Sequence, residues 1–309
     1  MRRALNRIVN IAGRQLFPRR ESEEPLQVVA TSSKGNLFGS PFHRTAGRSL
    51  AVAMSTAVSA PPSPLRPNHA DLDYSPVGNE PQSDIFAGLD PTQIALMNEK
   101  CILVDENDRV TGAASKKDCH LMSNIQKGLL HRAFSVFLFN SSGDLLIQQR
   151  SDEKITFPGC FTNSCCSHPL ATPSELTTNP IEGVKNAAQR RMFIELGIPP
   201  EELPLDDFHY VTRMKYKAES DRQWGEHEID YILFMQKDIT TIQPNPNEIK
   251  STLYLSRKDV DIFVDNLEKN GNKLTPWFRL ILATSLKKWW DNLDRIHEFD
   301  SHDVITRLN

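Results

Sequence analysis

No charge of either sign dominates this sequence. Lys and Arg number 36 against 39 Asp and Glu, so the formal net charge is -3 over 309 residues. Composition thus gives no pointer to nucleic acid or to an anionic membrane surface. Long apolar runs are missing as well. The best stretch, residues 50–60, is short and rich in small side chains, well under the roughly 18 residues a membrane span needs. Cysteine is scarce. There are 5, Cys101, Cys119, Cys160, Cys165 and Cys166, an odd set without framework spacing and without a C-x-x-C zinc pair. With no secretory signal at the N-terminus, the expectation is an intracellular, mostly reduced protein. No internal repeat is visible.

Acid is also absent from two N-terminal stretches. Residues 1–20 carry Arg2, Arg3, Arg7, Arg14, Arg19 and Arg20, with Leu5, Ile8, Val9, Ala12 and Leu16 at helical spacing. A basic amphipathic helix here reads as an organelle transit peptide; a disordered basic tail is the alternative. Residues 25–70 are again acid-free and rich in Ser, Ala and Pro, a composition that stays disordered. Folded structure is expected from about residue 88. Residues 1–88 would be transit peptide and disordered extension, and residues 89–309 one domain with a real core.

Within that domain, strands are expected from Cys101, over His131 to Phe139, at Leu145 to Ile147 as a hairpin partner, and near 208–217 and 226–235. The 131–139 run is apolar throughout, as in a strand covered on both faces. A helix starts at the Asn179 cap with Pro180 in its first turn, and Gly197 ends it. Ile181, Val184, Ala188 and Met192 form its buried stripe. Asp259 to Lys269 is a further helix. The last, Trp277 to Trp290, looks apolar nearly all round and therefore buried. Strands and helices mixed without strict alternation indicate an α+β layered domain.

The chemistry concentrates in a few groups of residues. Residues 161–169 set two thiols, Cys165 and Cys166, beside His168. In an extended chain Cys166 and His168 share one side and Cys165 takes the other. An ordinary loop with one buried Cys and one surface His fits this stretch taken alone. Glu226 and Glu228 project from one face of a strand that continues as apolar Ile232 and Phe234. Two carboxylates entering an apolar cleft need a cation. His120, His131 and His168 would complete a nearly octahedral shell for a divalent ion: Mg²⁺ first, with Mn²⁺ or Zn²⁺ as alternatives. Arg191 and Glu195 are four apart on one helix face. Lys116, Arg150 and Lys154 offer cationic donors to an anion, or are ordinary solvated charges. Trp224, just before the Glu pair, offers an aromatic face to positive charge, or is a core Trp.

The run from Arg190 to Gly197 resembles the core of a Nudix box. It departs from it where Arg191 replaces the first Glu and Ile194 replaces one of the paired Glu residues. Glu195 alone remains, enough to hold a metal on a bound diphosphate but poor for activating water. Residues 162–169, 130–139, 224–231 and 275–278 together resemble type I isopentenyl-diphosphate isomerase, from about residue 95 to the C-terminus. The resemblance implies a Nudix-like mixed β-sheet packed between helices, in a single catalytic domain. It implies conversion of isopentenyl diphosphate to dimethylallyl diphosphate, for isoprenoid and sterol precursors. By motif, Cys166 is the catalytic thiol, Glu228 the catalytic carboxylate and Tyr216 the tyrosine that hydrogen-bonds in the site. His120, His131, His168, Glu226 and Glu228 are the metal ligands. Glu195 holds a second Mg²⁺ on the diphosphate, and Lys116, Arg150, Lys154 and Arg191 bind phosphate oxygens. The expected partner is a small diphosphate substrate, with no nucleic acid, no membrane span and a monomeric chain. The rivals are a Nudix diphosphohydrolase and a non-catalytic, metal-stabilised binding module. The N-terminus points to the mitochondrion, with cytosol (by initiation at Met54) or peroxisome as alternatives. Arg307-Leu308-Asn309 does not match a standard peroxisomal ending.

Overall fold

A computed structural model describes residues 85–308. The targeting and disorder expectations for residues 1–84 lie outside the described residues. In chain order the elements are α1 (Pro91–Leu96), β1 (Lys100–Val104), β2 (Val110–Ser115), α2 (Lys116–His120), α3 (Met122–Ile125), β3 (His131–Phe139) and β4 (Leu145–Arg150). Then come β5 (Phe161–Thr162), β6 (Cys165–Ser167), α4 (Pro180–Leu196), β7 (His209–Glu219), β8 (Gly225–Gln236) and β9 (Ile249–Leu255). The chain closes with α5 (Val260–Lys269), α6 (Pro276–Ile281), α7 (Lys287–Trp290) and β10 (Ser301–Arg307).

The mixed sheet runs β10-β7-β8-β3-β1-β2. Its axis is the parallel pair β3 and β8, in register from His131 opposite Glu228 to Phe139 opposite Gln236. All nine residues of β3 are buried, as a strand covered on both faces requires. Phe134, Val136 and Leu138 pack with Val184, Ala188 and Met192 of α4. Phe137 and Phe139 face the other way, onto Phe278, Trp289 and Trp290 of the C-terminal helices. Each fully buried side chain of this size contributes about 1.5–3 kcal/mol. The expected α+β sheet between helices is therefore what forms.

Helix α4 follows its capping signals. The Asn179 side chain accepts from the Ile181 amide at 3.2 Å, and Gly197 adopts φ 65 to end the helix. Ile181 is only half-buried, whereas the charged pair Arg191 and Glu195 joins the buried face. Two expectations hold only in part. β4 does form the expected antiparallel hairpin with β3, but only at Phe139 opposite Leu145, and the rest of β4 pairs with β5 and β9. The second edge of β3 is already taken at Phe134 to Val136 by β6, so a long hairpin has no room. The last helix is buried on one face only: Arg279, Ala283, Thr284 and Lys288 are exposed. Its middle, Leu282–Leu286, widens into a π-helical turn between α6 and α7.

Candidate active site

The parallel register sets the first carboxylate beside the first imidazole, because His131 on β3 pairs with Glu228 on β8. Alternation along β8 brings Glu226 to the same face, two residues before Glu228. Gly225 makes this start of β8 feasible. A Cβ there would lie 2.6 Å from the Ala218 carbonyl oxygen and 2.4 Å from the Met122 sulfur. The short helix α2 is capped by Ser115, whose hydroxyl accepts from the Asp118 amide at 3.1 Å, and it delivers His120. β6 pairs with β3 at Cys166 opposite Ser135, and the chain just beyond it delivers His168.

These residues converge. One ligand atom from each of His120, His131, His168, Glu226 and Glu228 falls in a cluster whose members all lie within 4.8 Å of one another, and all five residues are buried. His120 Nε2 is 2.9 Å from Glu226 Oε2, and His168 Nε2 is 2.6 Å from Glu228 Oε1. His131 Nε2 stands 3.4 Å from Glu228 Oε1 and 3.7 Å from Glu226 Oε2. His120 Nδ1 donates to the Lys116 carbonyl at 2.6 Å, which leaves Nε2 unprotonated and aimed at the cluster. Burial pushes the His120 imidazole down to about 4 and that of His168 well below its usual range, so both are neutral. Burial and the charge of Glu228 push Glu226 well up. Burial opposes ionisation of Glu228 too, but His131 and His168 beside it hold its carboxyl well below the ordinary range.

His120 Nε2, His131 Nε2 and Glu226 Oε2 have no hydrogen-bond partner despite their burial. Buried polar atoms without partners are costly. Three imidazole nitrogens and two carboxylates with such orphaned atoms fit a divalent cation.

Tyr216, opposite Glu228 on β7, donates its hydroxyl to Glu228 Oε2. The two thiols separate as an extended chain requires. Cys165 is fully buried among the α4-side core, while Cys166, half-buried, lines the same pocket as His168, Glu226 and Glu228. Burial pushes the Cys166 thiol up to about 12, against the positive Arg150, so it carries its proton at neutral pH.

Lys116, Arg150, Lys154 and Arg191 also line that pocket. Arg150 is pinned by two backbone carbonyls, at 3.1 Å from Phe157 and 2.7 Å from Thr156. Phe157 holds a left-handed φ of 49 to present its carbonyl there. Glu195 is not in the pocket wall. It lies buried behind Arg191, accepting from Nε at 3.0 Å and from Nη2 at 2.6 Å.

Trp224 does not line this pocket either. It sits one layer back, packed on Met97 and Ile155, with its ring stacked on Phe86 at 5.9 Å. The aromatic in the wall is Trp277, assigned to the last helix as core by sequence. Its Nε1 donates to Asn163 Oδ1 at 3.1 Å, and Tyr216 and the Arg150 guanidinium flank its ring. Glu248 is the other residue that sequence reasoning missed. It accepts from Lys154 at 2.5 Å and from Arg191 at 3.2 Å. No strand is expected at residues 249–255 from sequence, so nothing there singles Glu248 out.

A family model of the NUDIX domain matches residues 129–278. Isopentenyl-diphosphate Delta-isomerase 1 of Mesocricetus auratus is 59% identical over 220 residues, covering 71% of this chain and 96% of the relative. The Bos taurus protein of the same name is 58% identical with the same coverage. Isopentenyl-diphosphate Delta-isomerase II, chloroplastic, of Arabidopsis thaliana is 47% identical over 282 residues, covering 89% of this chain and 98% of the relative. A β3–β8 frame that brings three imidazoles and two carboxylates together, on a chain this similar to these relatives over nearly their whole length, places the protein: it belongs to the isopentenyl-diphosphate Delta-isomerase family, in the Nudix superfamily.

Proposed function

We propose that this enzyme shifts the double bond of isopentenyl diphosphate to give dimethylallyl diphosphate. The reaction adds a proton to the terminal methylene carbon and removes one from the carbon next to the CH₂–O group, so atoms balance without a co-reactant. It needs one group that bears a proton and one that accepts it, both in reach of the allylic unit. The observation that carries this reading is their joint presence in one pocket: Cys166, kept protonated by burial, and Glu228, kept ionised by His131 and His168. We assign both as catalytic residues. Tyr216 steadies Glu228 through its hydroxyl.

The other end of the pocket is cationic. Lys116, Arg150, Lys154 and Arg191 bind the diphosphate oxygens in this account. The wall between offers Trp277, whose ring faces developing positive charge at the tertiary carbon. Trp224 takes a packing role behind it. A divalent ion held by His120, His131, His168, Glu226 and Glu228 would draw charge from Glu228 and favour its ionised form; Mg²⁺ is the proposed ion, with Mn²⁺ or Zn²⁺ as alternatives. Glu195 is proposed as ligand of a second Mg²⁺ on the diphosphate, through Oε2, the oxygen that Arg191 does not take. Hydrolysis is disfavoured because Glu195, left without the carboxylates of a Nudix box, is already neutralised by Arg191.

The domain is proposed to span residues 89–309, with residues 1–88 as a targeting extension. The mitochondrion is the compartment their basic, acid-free start fits best. No helix among the described residues is long and apolar enough to cross a membrane. A monomer feeding sterol and other isoprenoid precursors is proposed. The test is incubation of the purified chain with isopentenyl diphosphate and Mg²⁺. An acid-labile allylic diphosphate is expected; released inorganic phosphate would overturn the reading in favour of a hydrolase.

A further inference from the structure

Two of the cations assigned to the diphosphate are buried and would be unstable alone. The Lys154 side chain is 9% exposed and that of Arg191 is 1% exposed. A buried ammonium or guanidinium without a counter-charge moves, or in the case of lysine loses its proton. Both find the same counter-charge. Glu248 Oε2 lies 2.5 Å from Lys154 Nζ and 3.2 Å from Arg191 Nη2, and Glu248 is itself buried, at 3%. Arg191 spends Nε and Nη2 on Glu195 and Glu248, and Nη1 remains buried and unpartnered. A guanidinium so anchored, in the wall of the pocket, keeps one edge for an incoming anion.

Glu248 reaches a third partner. Its Oε1 accepts from Gln93 Nε2 at 3.3 Å, and Gln93 also donates to Asn247 Oδ1 at 2.7 Å. Asn247 in turn donates to Asp90, the N-cap of α1, at 2.9 Å. Gln93, Leu96 and Met97, from α1 and its C-cap, line the pocket above the cations. The turn before β9 thus ties the N-terminal helix to the anion-binding corner.

We infer that Glu248 is a positioning residue for the diphosphate subsite: it fixes Lys154 and Arg191 in their binding geometry and latches α1 over them through Gln93. This rests on the proposed use of those two cations for diphosphate. Two effects of the carboxylate oppose each other. As a negative charge near the subsite it repels the anion. As a buried anchor it keeps the cations charged and placed, and for side chains this deeply buried the anchoring dominates.

The test is titration of the full chain with inorganic diphosphate and Mg²⁺, alongside steady-state kinetics. Glu248→Gln should weaken diphosphate and raise KM by about tenfold or more, as expected for one lost partner of a buried charge pair, with kcat changed far less. Glu248→Asp should restore part of the loss, and Gln93→Leu should raise KM by a smaller factor. A general folding defect would lower kcat and bound metal instead. Tighter diphosphate binding by Glu248→Gln would show that repulsion dominates and overturn the inference. So would unchanged affinity in that variant while Lys154→Met binds weakly. If the wild-type chain itself does not bind diphosphate, the anion-subsite reading falls along with this inference.

Discussion

Lys154 should make substrate capture fall on the alkaline side. Its ammonium is buried beside Glu248, with Arg150 and Lys116 in the same corner. Burial lowers its pKa from 10.5 to about 8; Arg150 and Lys116 add to this, while Glu248 and Glu195 pull the other way. A group with that pKa is about nine-tenths protonated at pH 7 and about one-tenth at pH 9. The protonated form is the one that binds an anion, so affinity is full below the shifted pKa and is lost as pH rises through it. If only that form captures the diphosphate, kcat/KM drops about tenfold, ~1.4 kcal/mol, between pH 7 and 9. That ratio reports ionisations of the free enzyme. Lys154→Arg keeps its charge across the range and should lose this step. The assay is the kcat/KM profile of both proteins from pH 6.5 to 9.5. Substrate ionisation cancels when one is divided by the other. Parallel profiles would refute the reasoning, because they would mean that Lys154 either stays charged or does not touch the anion.

Three further outcomes follow from the same geometry. Cys166→Ala should lower turnover by about 10²- to 10⁴-fold with metal content intact, whereas Cys165→Ala should keep most activity and cost at most about 2 kcal/mol in thermal unfolding; the reverse pattern would invert the register assigned to β6. A divalent ion should raise the melting temperature by filling the five-ligand cluster, worth about 2.7 kcal/mol at a hundredfold excess over Kd, and Glu226→Gln should shrink that shift. A chain beginning near Asp84 should fold and turn over normally, since the motifs that carry the family resemblance all lie beyond it; loss of kcat in soluble truncated protein would count against the domain boundary.

Much of this site was legible because its elements obey short-range rules. Period-two alternation put Glu226 with Glu228 and separated Cys165 from Cys166. The Asn179 cap, Pro180 and Gly197 bounded α4. What escaped was set by tertiary context. The β3–β4 hairpin forms, but stays short because β6 claims the edge that a longer one would need. Trp224 and Trp277 carry no signal telling which faces the pocket; Phe86, Met97 and Ile155 fill the space around the first. Residues 301–307 are mostly exposed and polar, and only pairing with β7 makes them a strand. Glu248 emerged only once β9 lay beside β4 and brought the turn before it up to Lys154 and Arg191.

The central claim is proton addition and removal on one allylic unit, and solvent deuterium tests it most directly. Isopentenyl diphosphate should be incubated with the enzyme and Mg²⁺ in D₂O, and the product followed by NMR. The account predicts dimethylallyl diphosphate with deuterium in a methyl group, and none with Cys166→Ala or Glu228→Gln over the same interval. Allylic product free of solvent deuterium, or full deuterium uptake by both variants, would contradict it.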